Sequence, residues 1–157
     1  MTQPAPSRSP SGRSGSSLDF APIVLIVDDD RVLREICRDS LSDEPVRVLI
    51  AADGQEALAL AEAWIPDVVL TDVEMPRLDG FGLVRALRRL YPEVPVIVMT
   101  GADEYAGRPV AEVATEHGAL ATFMKPFDLE HLHATIRGAV PFLGATTSRA
   151  VGDGRAA

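Results

Sequence analysis

The chain has 157 residues, with 15 basic and 23 acidic side chains for a formal net charge of −8, and 46% of it is hydrophobic. This is the size and composition of one globular domain, and it excludes a general nucleic-acid binder, which needs surplus Lys and Arg to neutralise phosphates. A single Cys excludes a disulfide framework and a closed cysteine zinc site, and fits a reducing, cytoplasmic setting.

Residues 1–19 open the chain as an expected disordered leader, because Met1 to Ser17 holds six Ser, three Pro and two Gly and, after Met1, no large apolar side chain. The folded body then runs over 20–143. Ile23 to Val27 is a continuous apolar run and reads as a strand, and Leu33, Ile36, Cys37, Ser40 and Leu41 follow at helical spacing. Val46 to Ala51 reads as a second strand, and Ala57, Leu60, Ala61 and Trp64 line a second helix that Pro66 stops. Val68 to Leu70 is a third strand, before a helix through Val84, Leu87 and Tyr91 that Pro92 and Pro95 close. Val96 to Met99 is a fourth. Gly107 and Pro109 break the pattern and delay the fourth helix to about Pro109, with Val110, Val113, Ala114 and His117 on one face and Gly118 as its stop. Leu120 to Met124 is the fifth strand, and Leu129, Leu132 and Ile136 are the stripe of a last helix. Residues 144–157 form an expected flexible tail, with three Gly and four Ala.

Strands and helices alternate, and Ile23 to Val27, Val68 to Leu70 and Val96 to Met99 are apolar without interruption, so both sheet faces are expected to be buried. The reading is an α/β, doubly wound, five-stranded parallel sheet with five helices. No apolar run approaches the roughly 20 residues that cross a bilayer, and the opening residues lack a secretory h-region. No membrane and no direct nucleic acid are expected as partners.

In such sheets ligands bind beyond the carboxyl ends of the strands. Those ends carry Asp28, Asp29 and Asp30, then Thr71 and Asp72, then Thr100, then Lys125 before Pro126. Carboxylates gathered at one edge repel unless a cation sits among them, and oxygen ligands of this kind favour Mg²⁺. An ammonium and a hydroxyl opposite suit the oxygens of a phosphoryl group, and a carboxylate can serve as nucleophile in aspartyl-phosphate chemistry.

The motifs VLIVDDD, ADGQEAL, VVLTDVEMPRLDG, VIVMTG and FMKPF occur in that order between residues 22 and 140. Together they resemble the receiver domains of two-component response regulators, which implies a flavodoxin-like (CheY-like) single domain. The resemblance makes Asp72 the phosphoacceptor, with Thr100 and Lys125 contacting the phosphoryl group. Asp29 would hold Mg²⁺ directly and Asp28 mostly through water, joined by Asp72 and the backbone carbonyl of Glu74. The Glu74 side chain would stand at the pocket mouth. Met75, Pro76 and Gly80 would shape the acceptor loop, and Lys125–Pro126 would be cis. Implied partners are a histidine kinase or histidine phosphotransfer protein and an unidentified downstream protein. The chain would be a stand-alone receiver, monomeric or weakly homodimeric, and not an enzyme beyond catalysing its own phosphoryl transfer and dephosphorylation.

Compared with the family's chemotaxis regulator, the segment between Thr100 and Gly118 is a few residues longer, with Gly107, Arg108 and Pro109 as the extra turn. The family also often carries Tyr or Phe three residues before the lysine, where this chain has Thr122 with Phe123 beside it. That feature is the ground for a rival reading, a phosphorylation-independent pseudo-receiver adaptor. An acid phosphatase would need Asp in place of Glu74, and a dinucleotide binder would need GxGxxG after the first strand. Asp30 is read as a helix cap, Cys37 as core, Trp64 as packing at a helix end, and His117, His131 and His133 as ordinary histidines.

Overall fold

The structure, a computed structural model, describes residues 21–140. The leader expected at 1–19 and the tail expected at 144–157 lie outside the described residues. The elements are β1 (Ile23–Val27), α1 (Arg31–Ser40), β2 (Arg47–Ala51), α2 (Gly54–Trp64), β3 (Val68–Asp72), α3 (Gly80–Leu90), β4 (Val96–Thr100), α4 (Val110–Glu116), β5 (Ala121–Met124) and α5 (Leu129–Ala139). All five strands pair in parallel in the order β2-β1-β3-β4-β5. The expected doubly wound sheet with five helices is therefore present.

Alternation along the strands divides the core in two. Leu25, Val27, Val69, Val96 and Val98 pack on the side of α2, α3 and α4, with Ala57, Ala61, Phe81, Leu87 and Val113. Val24, Ile26, Val68, Leu70, Ile97 and Met99 pack on the other side against Cys37 and Leu41 of the α1 region and Leu132 and Ile136 of α5. Because successive side chains point to opposite faces, strands covered on both faces must be apolar at every position, which is why they read as unbroken runs.

Helix starts fix the upper edge of the sheet. Asp30, Asp53, Asp79 and Asp128 are the N-caps of α1, α2, α3 and α5, each accepting backbone N–H bonds from the first turn. The reading of Asp30 as a cap holds. At the lower end, Ile65 adopts left-handed backbone (φ 44°) just before Pro66 and ends α2, and the Arg47 guanidinium lies 4.1 Å over the centre of the Trp64 ring.

The extra turn expected at 107–109 is a two-stranded antiparallel hairpin, with Glu104–Tyr105 pairing Arg108–Pro109. Its central residues, Ala106 (φ 52°) and Gly107 (φ 75°), both have positive φ, as a type I′ turn requires. Ala is an unusual residue at the first of these positions, so sequence patterns for hairpins do not reveal it. The hairpin leads into α4, a short helix without a side-chain cap bond.

Gly80 sets the height of α3 against the sheet. Its N–H donates to Val73 O at 2.8 Å, and a Cβ there would collide with the carbonyl oxygen of Asp72, a backbone atom that cannot swing aside. Gly80→Ala is expected to cost about 2–3 kcal/mol in urea unfolding by overpacking. Gly138→Ala in α5, where a Cβ meets nothing within 4 Å, is the control and should stabilise by roughly 0.5–1 kcal/mol.

Candidate functional site

The sheet order reverses between β1 and β3, and this switch point is where a doubly wound sheet opens a crevice. Asp28 follows β1 directly, Asp72 ends β3, Thr100 ends β4 and Lys125 follows β5. The fold thus brings residues up to 97 positions apart to one edge.

Asp28 is fully buried. One of its carboxylate oxygens accepts the Asp30 N–H at 2.8 Å and the other accepts Lys125 Nζ at 2.7 Å, while its carbonyl accepts Arg34 Nη1 at 2.6 Å. Asp72 is also buried. Its Oδ1 accepts the Val73 N–H at 2.8 Å, its Oδ2 lies 3.3 Å from Lys125 Nζ, and the Thr71 hydroxyl donates to its carbonyl at 2.9 Å. Asp29 is exposed, yet Asp28, Asp29 and Asp72 each offer a carboxylate oxygen within 4.8 Å of the others.

One ammonium pairs with two of the three clustered carboxylates, Asp28 and Asp72. Burial and the neighbouring Asp28 charge raise the Asp72 carboxyl above its ordinary range, against the pull of Lys125 and the Val73 N–H. Burial opposes the charge on Lys125, but its hydrogen bond to Asp28 and the charges of Asp28 and Asp72 outweigh that and raise its pKa. A hard divalent cation would relieve the repulsion, and an all-oxygen donor set of two buried carboxylates and one exposed one fits Mg²⁺, which keeps several waters of its own. Asp29, open to solvent, would be accessible to such a hydrated ion.

The remaining expected residues are placed less centrally. Thr100 is buried at the strand end, but its hydroxyl engages the following loop, accepting the Ala102 N–H at 3.0 Å and lying 3.3 Å from Ala102 O. Glu74 is exposed and its side chain is not part of the carboxylate trio. Met75 packs against the α2–α4 core, Pro76 is exposed, and Lys125–Pro126 is cis. Cys37 belongs to the core under α1, where burial and the Asp28 charge push its thiol up to about 11.

Two arrangements beside the pocket are not visible in the sequence. Arg77, in left-handed backbone (φ 66°), pairs with the buried Asp53, whose Oδ1 caps α2 through the Gln55 and Glu56 N–H groups. The Arg77 guanidinium and these amides hold the Asp53 carboxyl below its usual range. With the Gly54 N–H donating to Leu78 O at 3.3 Å, this pair fastens the loop after Asp72 to the start of α2.

The second concerns the aromatic. Thr122 is half-buried on β5, and Phe123 turns into the core with Phe127 and His131, at ring separations of 5.9 and 5.0 Å. The aromatic joined to the acceptor side is Tyr105 of the hairpin. Its hydroxyl donates to Asp79 Oδ2 at 2.9 Å and its ring meets Phe81 edge-on at 4.7 Å. Asp79 caps α3, which starts against the Asp72 backbone, so Tyr105 ties the loop after Thr100 to the segment after Asp72.

Comparison with known proteins agrees with this geometry. Residues 24–137 match the response regulator receiver domain. Response regulator MprA of Mycolicibacterium vanbaalenii is 43% identical over 114 residues, which is 73% of this chain and 48% of that relative. The same protein of Mycobacterium ulcerans is 41% identical over the same span. The chain spans about half the length of the curated relatives it matches. Among solved structures, the chemotaxis protein CheY4 of Vibrio cholerae superposes with a TM-score of 0.68 at 33% identity, covering 76% of this chain and 98% of that one. A CheY-like receiver domain protein of Methanospirillum hungatei gives 0.71 at 27%, covering 80% and 98%. Among the described residues no helix is long and apolar enough to cross a membrane. The carboxylate trio, the lysine beside it and these matches lead to one conclusion: the chain belongs to the response regulator receiver domain family.

Proposed function

We propose that this receiver accepts a phosphoryl group on Asp72 from a histidine kinase or histidine phosphotransfer protein, in a Mg²⁺-dependent reaction. The observation that carries the reading is Lys125 Nζ lying 2.7 Å from Asp28 and 3.3 Å from Asp72, with the three carboxylates converging beside it. An Asp72 carboxylate oxygen attacks phosphorus, the P–N bond to the donor imidazole breaks, and the imidazole leaves and takes up a proton. Lys125 meets the negative charge on the transferred group. Asp28, Asp29, Asp72 and the Glu74 carbonyl would hold Mg²⁺, which when bound neutralises phosphoryl oxygens and cancels the mutual repulsion of the carboxylates.

A side-chain phosphate adds about −1.5 to −2 charges near pH 7. The Thr100 hydroxyl turns from Ala102 toward that charge, loosening the loop that carries Tyr105. In this proposal the chain works by itself, as a monomer or weak homodimer in the cytoplasm, signalling through protein–protein contacts or relaying the phosphoryl group. It turns over no substrate other than its own phosphoryl group.

The test is intact mass after incubation with acetyl phosphate or phosphoramidate, with and without Mg²⁺. The wild type should gain one phosphoryl group only with Mg²⁺, and Asp72→Asn, folded, should gain none. No gain where a control receiver is labelled would favour the phosphorylation-independent adaptor.

A further inference from the structure

The arginines among the described residues of this acidic chain are nearly all matched. Arg31 pairs with Glu35, Arg38 with Asp39, Arg77 with Asp53, Arg108 with Glu112 and Glu116, and Arg137 with Glu44. Arg34 and Arg88 donate to backbone carbonyls, and Arg47 covers Trp64. Arg85 and Arg89 stand apart, exposed one turn from each other on α3. Among the described residues neither forms an ion pair, and the one side-chain partner of Arg85 is a ring nitrogen of His117 at 3.2 Å. Asp79, the acid at the start of α3, has both oxygens engaged, by the Gly82 N–H and by Tyr105.

These two guanidinium groups border a groove of about 300 Å³ whose other walls are Gly82 and Ala86. Like charges at i,i+4 repel one another on a helix by a few tenths of a kcal/mol, so the pair favours an anion between them. Planar guanidinium forks bind carboxylates in bidentate fashion, and the small side chains of Gly82 and Ala86 let a ligand backbone come close. Leu90, 51% exposed, adds an apolar edge next to Arg89. Two cations bordering a groove of small residues, with an apolar rim, complement a peptide that alternates carboxylates with an apolar side chain.

We propose that the outer face of α3 is a docking surface for an acidic segment of a protein partner, its carboxylates held by Arg85 and Arg89 and an apolar side chain resting on Ala86 and Leu90. The surface is separate from the carboxylate pocket and does not depend on phosphoryl transfer at Asp72.

The experiment titrates the ¹⁵N-labelled full chain with a blocked peptide, Gly-Glu-Leu-Asp-Glu-Leu-Glu-Gly. Its Gln/Asn counterpart and inorganic phosphate at matched ionic strength are the controls. The expected result is saturable amide shifts confined to Gly82–Leu90 and His117. These should weaken at least tenfold in Arg85→Glu/Arg89→Glu, a surface variant whose amide dispersion verifies its folding. Shifts scattered over the surface, or equal in the variant, would overturn the proposal. So would the same shifts with phosphate, which mark a small-anion site, or shifts that follow protein concentration without peptide, which mark self-association.

Discussion

Replacing Lys125 with Ala should slow labelling of Asp72 by acetyl phosphate about 10²–10³-fold, the usual cost of removing one preorganised group that meets charge developing in a transition state. Lys125 is the only cation within ion-pairing distance of Asp28 and Asp72 among the described residues, and it sits at the edge of the sheet with its side chain 23% exposed. Removing it also leaves Asp28 buried with only the Asp30 N–H on its carboxylate, so stability should fall as well. Lys125→Arg separates the two effects, because it keeps the charge but replaces a compact ammonium with a planar fork. Its thermal midpoint should return toward wild type while its labelling rate stays well below. A labelling rate within threefold of wild type in a folded Lys125→Ala protein would remove the lysine from the reaction.

Mg²⁺ should stabilise the native state by about 2.7 kcal/mol at a free concentration one hundred times its Kd, by mass action. The effect should shrink sharply in Asp28→Asn and Asp29→Asn. Without metal, Asp72→Asn is expected to exceed the wild type by an amount on the order of 1 kcal/mol near pH 7, since it removes one of the mutually repelling carboxylates. The sign with pH follows from the raised native pKa of Asp72. A carboxyl that holds its proton more tightly in the native chain favours the native state fully below its unfolded value of 3.8, and that contribution is lost as pH rises through its native value. The advantage of Asp72→Asn should therefore grow from acid to neutral pH in EDTA and be reversed by saturating Mg²⁺. Urea unfolding at several pH values, with EDTA or Mg²⁺, measures both.

The five strands and the polar residues at their carboxyl ends were legible because both rest on local sequence. A strand covered on both faces is an apolar run, and the residue ending that run lies at the sheet edge. Asp28, Asp72 and Lys125 follow from this alone. Contacts set by backbone geometry at a distance were not legible. Arg77 and Asp53 are 24 residues apart and meet because Arg77 adopts left-handed backbone, for which Arg carries no signal. The hairpin at Glu104–Pro109 escaped because Ala106 occupies a position usually given to Asn or Gly. The pairing of Tyr105 with Asp79 depends on that hairpin and could not be seen without it. Thr100 was placed at the correct edge, but the orientation of its hydroxyl is a loop property.

The chain has a single tryptophan, and its position decides what optical measurements can see. Trp64 ends α2 beside Arg47, which pairs in register with Ile23 at the opposite end of β1 from Asp28. About 17 Å of strand, from Ile23 to Asp28, separates the two poles at roughly 3.3 Å per residue. Indole emission should therefore report the global unfolding of the sheet and stay unchanged on adding Mg²⁺ or a phosphoryl donor under native conditions. Occupancy of the pocket would be visible to that fluorophore as a shifted denaturation midpoint, which separates ligand-linked stability from local quenching within one experiment.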